Sequence, residues 1–306
     1  MNPEPAPSVE ISAVIVNYNA GDELRGALVS IADAMRGRRF DIVVVDNASA
    51  DGSAAIATEF APHARLIRNQ VNVGFGTGVN QGIAASRAPL ILLLNPDCRL
   101  LPGAVERLVA SLDAHPSCAI AGPRILDPDG GVQGSARGDP DMLTGLFGRT
   151  SSLRRLLPGL AVSKRNVIDL PDASDQTTGT AETGSQVVDW ISGACMLARR
   201  DAVASVGGFD ERYFMYWEDA DLCRRLRARG HDIRYVSGAA AVHRVGQSSR
   251  TAPELSIRAF HAGAYLYYAT HVAPGMLNPR RWLARLLLAG RCQWRLRAAR
   301  RSGLLM

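Results

Sequence analysis

The chain has 306 residues, 47% hydrophobic and 21% charged, a composition typical of a soluble globular protein with one large α/β domain or two smaller ones. The net charge of +6 comes from residues 279–306, which carry eight arginines and no acidic residue, so subtracting them leaves −2 for the rest. The basic character therefore belongs to the C-terminal segment and is no evidence for a nucleic-acid-binding fold, and we expect no nucleic-acid partner. No apolar run reaches the ~20 residues of a transmembrane helix. Residues 1–10 are predicted to be disordered and lack the features of a signal peptide.

The cysteines indicate a reducing compartment. Their number is odd and none belongs to a CxxC pair, so we expect reduced thiols in the core of a cytoplasmic protein. They are Cys98, Cys118, Cys195, Cys223 and Cys292.

Short apolar runs alternate with amphipathic segments along the first half of the chain. The predicted strands are 11–16, 41–46, 65–68, 90–94 and 119–126, and the predicted helices are 21–35, 53 onward, 76–87 and 101–115. This alternation is typical of βαβ units in a parallel, Rossmann-like sheet. Residues 127–186 are rich in Gly, Ser, Thr, Asp and Pro and predict a flexible insertion. Order is predicted to resume at 187–197, and further predicted elements are helices at 201–206, from 218, at 253–272 and at 279–300, and strands at 231–236 and 239–243.

Acidic side chains follow the buried strands of this predicted sheet. The fourth run ends at Asn95-Pro96-Asp97, and the second ends at Asp46. Ligands of open α/β sheets bind beyond the carboxyl ends of the strands, although Asn-Pro-Asp also favours a simple turn. His243 ends a late strand. Two strand-end carboxylates with one imidazole predict a Mg²⁺ or Mn²⁺ site.

Glycines at 74, 76 and 78 do not form a dinucleotide fingerprint. Position 79 is valine where GxGxxG needs glycine, and the run follows the third strand instead of the first. The glycines still indicate a close backbone approach at a helix N-terminus, which suits a phosphate. Beside a metal, this pattern predicts a diphosphate and therefore an activated nucleotide as substrate.

Five motifs, in this order and spacing, resemble the family 2 glycosyltransferases of the GT-A fold over residues 11–250. They are Val16-Asn17-Tyr18-Asn19, the segment Val45 to Ser53, Asn72-Val73-Gly74-Phe75-Gly76 with Asn80, Asn95-Pro96-Asp97, and Trp217 to Cys223 followed by His243. Residues 207–216 and 135–137 are similar to bacterial rhamnosyltransferases that extend lipid-linked saccharides. The resemblance implies an α/β GT-A fold, with a Rossmann-like, mostly parallel sheet flanked by helices and a helical C-terminal extension at 251–306. Within 11–250 it implies a nucleotide-binding half (11–126), the insertion (127–186) and an acceptor and catalytic half (187–250).

The resemblance also implies residue roles in a metal-dependent, inverting sugar transfer. Asp219 would be the general base, and Asp97 with His243 would bind the metal, Mg²⁺ or Mn²⁺. The nucleotide-sugar site would comprise Asn17, Tyr18, Asn19, Asp46, Asn47, Asn72, Gly74, Phe75, Asn80 and Asn95. The acceptor site would comprise Trp190, Gly193, Trp217 and Glu218. Because Asn95 stands where the family's DxD motif has its first aspartate, Asp97 would be the direct carboxylate ligand and metal affinity would be modest.

Simpler interpretations remain open for several of these residues. Asp219 fits a plain helix N-terminal acid, His243 a structural histidine, and either tryptophan a packing role. Asp221 can form a helix salt bridge with Arg224 or Arg225. Two other functions also remain. A nucleotidyltransferase would need a basic triphosphate signature near the first strand, which residues 14–21 lack. A non-catalytic sugar-nucleotide or glycan-binding module would predict loss of the base, which is present.

The C-terminal helix has an apolar side and a basic side. On a helical wheel Trp282, Leu283, Leu286, Leu287 and Trp294 fall opposite Arg281, Arg285, Arg291 and Arg295, with Leu288 interrupting the pattern. A basic amphipathic helix with tryptophan predicts binding to a membrane surface; the alternative is a helix packed on its own domain with a solvated basic face. We expect a cytoplasmic protein, peripheral on the inner face of the membrane. Its expected substrates are a deoxythymidine-diphosphate rhamnose donor and a polyprenyl-diphosphate-linked saccharide.

Overall fold

The computed structural model describes residues 9–139, 184–244 and 252–303. The strands are β1 (Ile11–Asn17), β2 (Phe40–Asp46), β3 (Ala64–Arg68), β4 (Leu90–Leu94), β5 (Cys98–Leu100), β6 (Cys118–Leu126), β7 (Val132–Gln133), β8 (Ala136–Arg137), β9 (Ser185–Val187), β10 (Trp190–Ile191), β11 (Cys195–Arg199) and β12 (Asp232–His243). The helices are α1 (Glu23–Ala34), α2 (Ser53–Ile56), α3 (Phe75–Ala85), α4 (Ala104–Ala114), α5 (Arg200–Ser205), α6 (Glu218–Ala228), α7 (Pro253–Tyr267) and α8 (Pro279–Arg301). A 3₁₀ turn follows α2 (Ala57–Phe60), and a π-helical turn follows α7 (Tyr268–Val272).

One mixed sheet organises the chain, in the order β3-β2-β1-β4-β11-β6-β12-β5. The β3-β2-β1-β4 half is parallel throughout, which confirms the strand–helix alternation predicted from the sequence. β11 then runs antiparallel to both β4 and β6, and β12 pairs with β6 in parallel. The carboxyl ends of β1, β2 and β4 therefore share one edge, and their polar end residues are brought to it.

Helices cover both faces of the sheet. On one face Leu24 and Leu28 of α1 and Leu108 of α4 belong to one buried cluster, and on the other Val79 of α3 and Leu222 of α6 belong to a second. The strands read as continuous apolar runs because both of their faces are buried in this way. The five cysteines are free and buried, as predicted.

The glycines of α3 are explained by packing against β1. A Cβ atom at Gly82 would lie 2.3 Å from Val14 Cγ1, and one at Gly78 would lie 3.0 Å from Val16 Cγ1. Only a residue without a side chain lets the helix lie this close to the strand. The glycine pattern thus places α3 against the strand that ends at Asn17.

The structure differs from the sequence prediction in its shorter strands. β12 is one strand with a register irregularity between Val236 and Ala240, where two strands were predicted. β5 was missed because it has three residues, too few for a period to be visible. β7, β8 and β9 lie at the two ends of the predicted insertion, whose residues 140–183 lie outside the described residues.

The last helix packs through a face that the amphipathic pattern did not predict. α8 begins where Asn278 caps it by accepting the Arg280 N–H at 3.0 Å, with Pro279 at its first position. The residues it buries are Ala284, Leu288, Cys292, Leu296 and Ala299. Leu288, which interrupts the predicted apolar side, is therefore part of the face that packs on the protein.

The predicted apolar side of α8 is exposed. Together with the preceding loop it forms what we call the C-terminal apolar surface, made of Met276, Leu277, Trp282, Leu283, Leu286, Leu287 and Trp294. The arginine side instead meets α7, where Arg281 donates to the Tyr265 hydroxyl at 3.2 Å and Arg291 to His261 Nε2 at 3.1 Å. The alternative of a helix packed on its own domain is therefore met in part: α8 packs on the protein through the stripe around Leu288, whereas part of its basic side contacts α7. Across the described ranges, no helix combines the length and apolarity needed to cross a membrane.

Candidate functional site

Two predicted site residues meet where β12 pairs with β5. His243 lies opposite Cys98 in this antiparallel ladder, and the Arg244 N–H donates to the Asp97 carbonyl at 3.0 Å. A turn that closes from Cys98 N–H to the Asn95 carbonyl at 3.0 Å holds Asp97 beside the end of β4. As a result His243 Nε2 lies 3.1 Å from Asp97 Oδ1, and Asp97 is only 6% exposed.

The donor atoms of this corner fit a hard divalent cation. Asp97 Oδ1 is buried with no hydrogen bond assigned to it, and the Asn95 side-chain nitrogen Nδ2 lies 3.4 Å from His243 Nε2. A carboxylate and an imidazole are acceptable ligands for Mg²⁺ or Mn²⁺. Among the described residues no group of three or more His, Cys, Asp and Glu could hold a metal, so further ligands would come from water and diphosphate oxygens.

Asp46 does not join this corner, which corrects the expectation of two strand-end carboxylates around one metal. Its Oδ1 accepts from Asn17 Nδ2 at 2.8 Å and its Oδ2 from the Ser49 N–H at 3.1 Å. Asn17 is completely buried and also donates to the Ser53 hydroxyl at 2.8 Å. The buried Asn17 side chain therefore fixes the orientation of the Asp46 carboxylate. The predicted place of Asn17 in a nucleoside pocket stays a prediction.

A shallow cleft opens beside this network. It has a volume of about 550 Å³ and is lined by residues 19–23, 50 and 51. Asn19 borders it and is held by two contacts: its N–H donates to the Ser49 hydroxyl at 3.0 Å, and its Oδ1 accepts the Ala50 N–H at 2.8 Å. Tyr18, also predicted to bind the nucleoside, precedes it and is partly exposed.

The turn before α3 is fixed by protein contacts on every side. Gly74 has a φ of +91°, and a Cβ atom there would lie 2.5 Å from the Phe214 carbonyl oxygen. Its N–H donates to Asn72 Oδ1 at 3.0 Å, and its carbonyl accepts from Asn47 Nδ2 at 2.9 Å. The Phe75 N–H donates to the Phe214 carbonyl at 2.8 Å. That amide of the helix N-terminus is thus bound to protein, so it does not carry the expected phosphate contact.

Asn80 ties α3 to the loop that leads to α6. Its Nδ2 donates to the Phe209 carbonyl at 2.9 Å, and its Oδ1 accepts the Phe209 N–H at 2.9 Å. The ring of Phe75 meets the ring of Phe209 edge to face, with centroids 6.4 Å apart. These contacts fix the start of the loop 209–217, which leads along the chain to Asp219.

Asp219 is linked to the corner that holds Asp97 and His243 by a short segment before β11. Its Oδ2 accepts the Gly193 N–H at 2.9 Å, and its Oδ1 accepts the Ala220 N–H at 2.8 Å. The next residue along, Ala194, accepts the Asn95 N–H at 2.9 Å. Two neighbouring backbone groups therefore link the two parts of the site: the Gly193 N–H binds Asp219, and the Ala194 carbonyl binds Asn95 of the Asn95-Pro96-Asp97 motif. The structure brings these predicted residues together at one edge of the sheet.

The residues before Asp219 adopt an unusual backbone. Tyr216 and Trp217 both have positive φ, +70° and +75°. Each such non-glycine residue costs on the order of 1–3 kcal/mol and persists only where surrounding contacts enforce it. Here the Trp217 ring lies 5.6 Å from the rings of both Phe260 and Tyr267 on α7. Gly263 provides the room, since a Cβ atom there would lie 2.9 Å from the Tyr216 carbonyl oxygen.

The predicted acceptor residues are more enclosed than the sequence suggested. Burial, and then the charge of Asp219, raise the pKa of Glu218 well above its ordinary value, and its Oε2 has no hydrogen-bond partner. The same burial places the Glu218 carboxyl beside the carboxylate of the predicted base, with burial opposing its ionisation. Trp190 donates its indole N–H to the Gly138 carbonyl at 3.0 Å. In this structure Trp190 and Trp217 pack against neighbouring side chains. Their stacking on an acceptor sugar stays a prediction.

Asp221 forms the predicted salt bridge and a second contact that was not predicted. Its Oδ2 lies 2.7 Å from Arg225 Nε, and its Oδ1 lies 2.6 Å from His271 Nε2. Gln133 was likewise missed, and its Oε1 lies 3.2 Å from His243 Nδ1. No sequence pattern indicates either partner, because both lie more than 45 residues away from the side chain they bind.

Comparisons with known proteins identify the family. Residues 12–167 match the profile of Glycosyl transferase family 2, and residues 174–301 match that of Glycosyl transferase family group 2. The N-acetylglucosaminyl-diphospho-decaprenol L-rhamnosyltransferase of Mycobacterium tuberculosis (strain ATCC 25618 / H37Rv) is 33% identical over 302 residues, 95% of this chain and 94% of that protein. Rhamnosyltransferase WbbL of Escherichia coli (strain K12) is 45% identical over 65 residues, 21% of this chain and 25% of that protein.

Solved structures resemble the fold at low sequence identity. GalNAc-T7 with UDP, GalNAc and Mn²⁺ aligns with a TM-score of 0.60 at 16% identity, over 87% of this chain and 52% of that one. Mannosyltransferase PcManGT from Pyrobaculum calidifontis, with GDP-Man and Mn²⁺, aligns with a TM-score of 0.57 at 15% identity, over 99% of this chain and 79% of that one. These likenesses confirm the GT-A fold that the motifs predicted.

Proposed function

Because the chain belongs to glycosyltransferase family 2, we propose that it moves a sugar from a nucleoside diphosphate to a saccharide hydroxyl, using a divalent metal and inverting the anomeric carbon. The observation that carries the proposal is the buried Asp97–His243 pair joined to Asp219 through Gly193 and Ala194. Family membership sets the nucleotidyltransferase alternative aside. A non-catalytic binding module is distinguished by the assay of Asp219 below.

Asp97 and His243 would hold the metal through Oδ1 and Nε2, with the Asn95 amide beside them. The fit rests on the buried Asp97 Oδ1, which has no hydrogen bond assigned to it and lies 3.1 Å from His243 Nε2. Bound there, Mg²⁺ or Mn²⁺ would neutralise charge on the departing diphosphate. Mn²⁺ is named with both structural neighbours described above, which supports this class of ion.

Asp219 would act as the general base. Its carboxylate takes the proton of the acceptor hydroxyl while that oxygen bonds to the anomeric carbon. The bond from that carbon to the diphosphate breaks, and its electron pair leaves with the diphosphate. One displacement of this kind inverts the carbon, and the base contributes typically ~10²–10⁴-fold. Two backbone N–H bonds fix the orientation of the carboxylate for this task.

The sugar-binding residues divide into those at the surface and those that support them. Tyr18, Asn19 and Asp46 would contact the nucleoside beside the 550 Å³ cleft, and Asn95 would lie near the diphosphate. The other predicted residues would hold the nucleotide-binding residues in position, because their polar groups are hydrogen-bonded within the protein; they are Asn17, Asn47, Asn72, Gly74, Phe75 and Asn80. The acceptor would lie against Trp190, Gly193, Trp217 and Glu218, close to the base.

The relative from Mycobacterium tuberculosis suggests the substrates. Its name specifies transfer of L-rhamnose to N-acetylglucosaminyl-diphospho-decaprenol, and it matches 95% of this chain. We therefore propose a deoxythymidine-diphosphate rhamnose donor and a polyprenyl-diphosphate-linked saccharide acceptor, in the synthesis of a cell-surface polysaccharide. We also propose that 11–126 binds the nucleotide, that 127–186 helps to select the acceptor and that 187–250 carries the acceptor and catalytic residues.

A lipid-linked acceptor requires access to a membrane, and the C-terminal apolar surface offers a means. Leu277 is 96% exposed, Leu286 71% and Trp294 63%. Arg297 and Arg300 are exposed near the end of the same helix, where they would meet anionic headgroups. We propose that this surface lies on the cytoplasmic face of the membrane, with the protein bound peripherally.

The catalytic proposal is tested with Asp219→Asn and Asp201→Asn. Asp201 is a matched control, because its Oδ1 accepts the N–H of the next residue at 2.8 Å at the start of α5, as Asp219 does in α6. With a dTDP-sugar and a prenyl-linked acceptor, Asp219→Asn should lower kcat at least ~10²-fold while Asp201→Asn leaves it unchanged. An Asp219→Asn enzyme that keeps its kcat would show that this carboxylate is not the base.

The donor and the metal are tested together by thermal shift. We expect dTDP to raise Tm only with Mn²⁺, and Asp97→Ala to abolish the shift; a ligand at ~100 Kd adds ~2.7 kcal/mol of stability. Stabilisation by UDP or GDP instead would correct the donor. Stabilisation by dTDP that does not depend on metal or on Asp97 would contradict the metal site.

The membrane contact is tested by flotation with vesicles that contain an anionic phospholipid. Leu286→Glu should release the protein, whereas Val29→Glu should not, because Val29 is similarly apolar and 45% exposed but lies on α1. Equal flotation of both variants would show that the C-terminal apolar surface does not bind the membrane. A concentration-dependent dimer lost only in Leu286→Glu would assign the surface to a second copy instead.

A further inference from the structure

One side chain holds His243 at two points. Gln133 donates from Nε2 to the His243 backbone carbonyl at 2.7 Å, and its Oε1 lies 3.2 Å from Nδ1 of the same histidine. Nε2 also donates to Asp127 Oδ1 at 2.8 Å. Gln133 is 6% exposed, so water does not replace these partners easily. Gln133 of β7 thus contacts both the backbone and the ring of His243, a predicted metal ligand.

These contacts determine which way the Gln133 amide points. A backbone carbonyl and a carboxylate can only accept hydrogen bonds, so the group that faces both must be the –NH₂. The amide oxygen then faces the imidazole, and an oxygen can only accept from it. The Gln133 contact therefore favours the neutral tautomer with the hydrogen on Nδ1, in competition with the Asp97 carboxylate, whose Oδ1 lies 3.1 Å from Nε2 and favours a hydrogen there.

A hairpin makes this arrangement rigid. β7 pairs antiparallel with β6, with Gln133 opposite Ile125, and the turn closes through the Asp127 N–H to the Gly131 carbonyl at 2.7 Å. β6 is in turn the parallel neighbour of β12, which carries His243. Gln133 and His243 are therefore held by one continuous hydrogen-bonded sheet, and their side chains keep a fixed register.

We propose that Gln133 is a positioning residue that sets the Nδ1–H tautomer of His243 and so presents Nε2 to the divalent cation, with Asp127 anchoring the amide. The inference rests on the metal site of the proposed function. Partners that orient a metal-binding imidazole through its other nitrogen typically change metal affinity by ~10–100-fold. Gln133 touches neither metal nor substrate, so its effect passes through the orientation and electron pair of His243.

The tautomer is measured in the metal-free protein, which separates this inference from the metal site itself. In ¹⁵N-labelled protein at a pH where the imidazole is neutral, the ring nitrogens of His243 should show the Nδ1–H form. Gln133→Leu should shift the ring towards the Nε2–H form or a mixture. Gln186→Leu is the control, because Gln186 is exposed on β9, which also pairs with β12, and should leave the tautomer unchanged. An Nε2–H tautomer in the unchanged protein overturns the inference without any variant.

The consequence for the metal is measured by counting free Mn²⁺ by electron paramagnetic resonance in the presence of dTDP. Gln133→Leu should weaken Mn²⁺ binding ~10–100-fold, and Gln186→Leu less than twofold. Equal affinity of Gln133→Leu and the unchanged protein overturns the inference. If the unchanged protein does not bind Mn²⁺ at all, the proposed metal site fails, and the tautomer measurement still decides what Gln133 does.

Discussion

Replacing Asp221 by asparagine tests how the helix that carries Asp219 is held. Asp221 is 1% exposed, and its two oxygens bind two different side chains: His271 Nε2 at 2.6 Å and Arg225 Nε at 2.7 Å. Asparagine has nearly the same shape, so Asp221→Asn opens no cavity. It removes the negative charge and turns one acceptor oxygen into a donor that faces one of these two nitrogen atoms.

The magnitude follows from burial. Removing one partner of a buried ion pair costs ~3–5 kcal/mol, because the remaining charge loses its compensation. Arg225 keeps two backbone acceptors, the carbonyls of Val206 at 2.8 Å and Gly208 at 2.9 Å, so we expect the lower end, about 3 kcal/mol. For a domain of this size class that corresponds to a Tm lower by roughly 6–12 °C.

The assay is equilibrium unfolding in urea, with Asp33→Asn as control. Asp33 and Arg36 also form an ion pair, at 2.8 Å, but their side chains are 62% and 82% exposed, so this substitution should cost below about 1 kcal/mol. A free energy of unfolding for Asp221→Asn within about 1 kcal/mol of that of Asp33→Asn would refute the reasoning that burial sets the strength of the pair. Asp221→Asn should also lower kcat, because Asp219 lies in the same helical turn.

Two further substitutions have effects that the structure fixes. Gly74→Ala should destabilise the protein by about 1–2 kcal/mol more than Gly230→Ala, as measured by urea unfolding. Both glycines have similar positive φ, +91° and +86°, but only at Gly74 does the new Cβ meet a backbone atom, the Phe214 carbonyl oxygen. Glu218→Gln should change how stability depends on pH. Because burial and the charge of Asp219 raise the pKa of Glu218 in the folded state, its stabilising contribution is complete below the ordinary value of 4.5 and is lost as the pH rises through the folded pKa. Gln cannot ionise, so the stability of the variant relative to the unchanged protein should increase with pH above 4.5; a difference independent of pH would refute this.

The sequence predicted the strand ends of the site because local rules govern them. Asp46 and Asp97 each follow a continuous apolar run, and such runs mark strands buried on both faces. Since β1, β2 and β4 are parallel, their carboxyl ends had to share one edge. The motif order then identified Asp219 and His243 as candidates, although no spacing in the sequence shows that they approach that edge.

Contacts between distant elements were beyond sequence reasoning. Gln133 lies in a segment rich in glycine, serine and aspartate, where nothing distinguishes it from a surface residue. Its role is visible only once β6 lies between β7 and β12. The positive φ of Tyr216 and Trp217 was equally hidden, because aromatic residues rarely adopt it and propensity argues against it.

The C-terminal helix shows that a helical wheel does not by itself identify the face that packs on the protein. The wheel separated apolar from basic residues correctly, and the apolar side of an amphipathic helix commonly faces the core. In this helix the buried face is instead a narrow stripe around Leu288 and Cys292, and the arginine side meets α7. Buried residues recur there at every third or fourth position, about two per two turns, and the larger apolar side chains are left exposed.

The turn before Asp219, formed by Tyr216 and Trp217, packs against the C-terminal helix α7, which in turn contacts α8. Two consecutive residues of positive φ cost on the order of 1–3 kcal/mol each, and the compensating contacts come from Phe260, Gly263 and Tyr267 of α7. The Asp221–His271 contact adds a second link, from α6 to the π-helical turn between α7 and α8. The orientation of Asp219 therefore depends on helices outside the motif-bearing region, and those same helices carry the C-terminal apolar surface. If that surface contacts a membrane as proposed, the contact would involve helices that already hold Asp219, the proposed base, in place, and an acceptor delivered from the membrane would meet a preformed site.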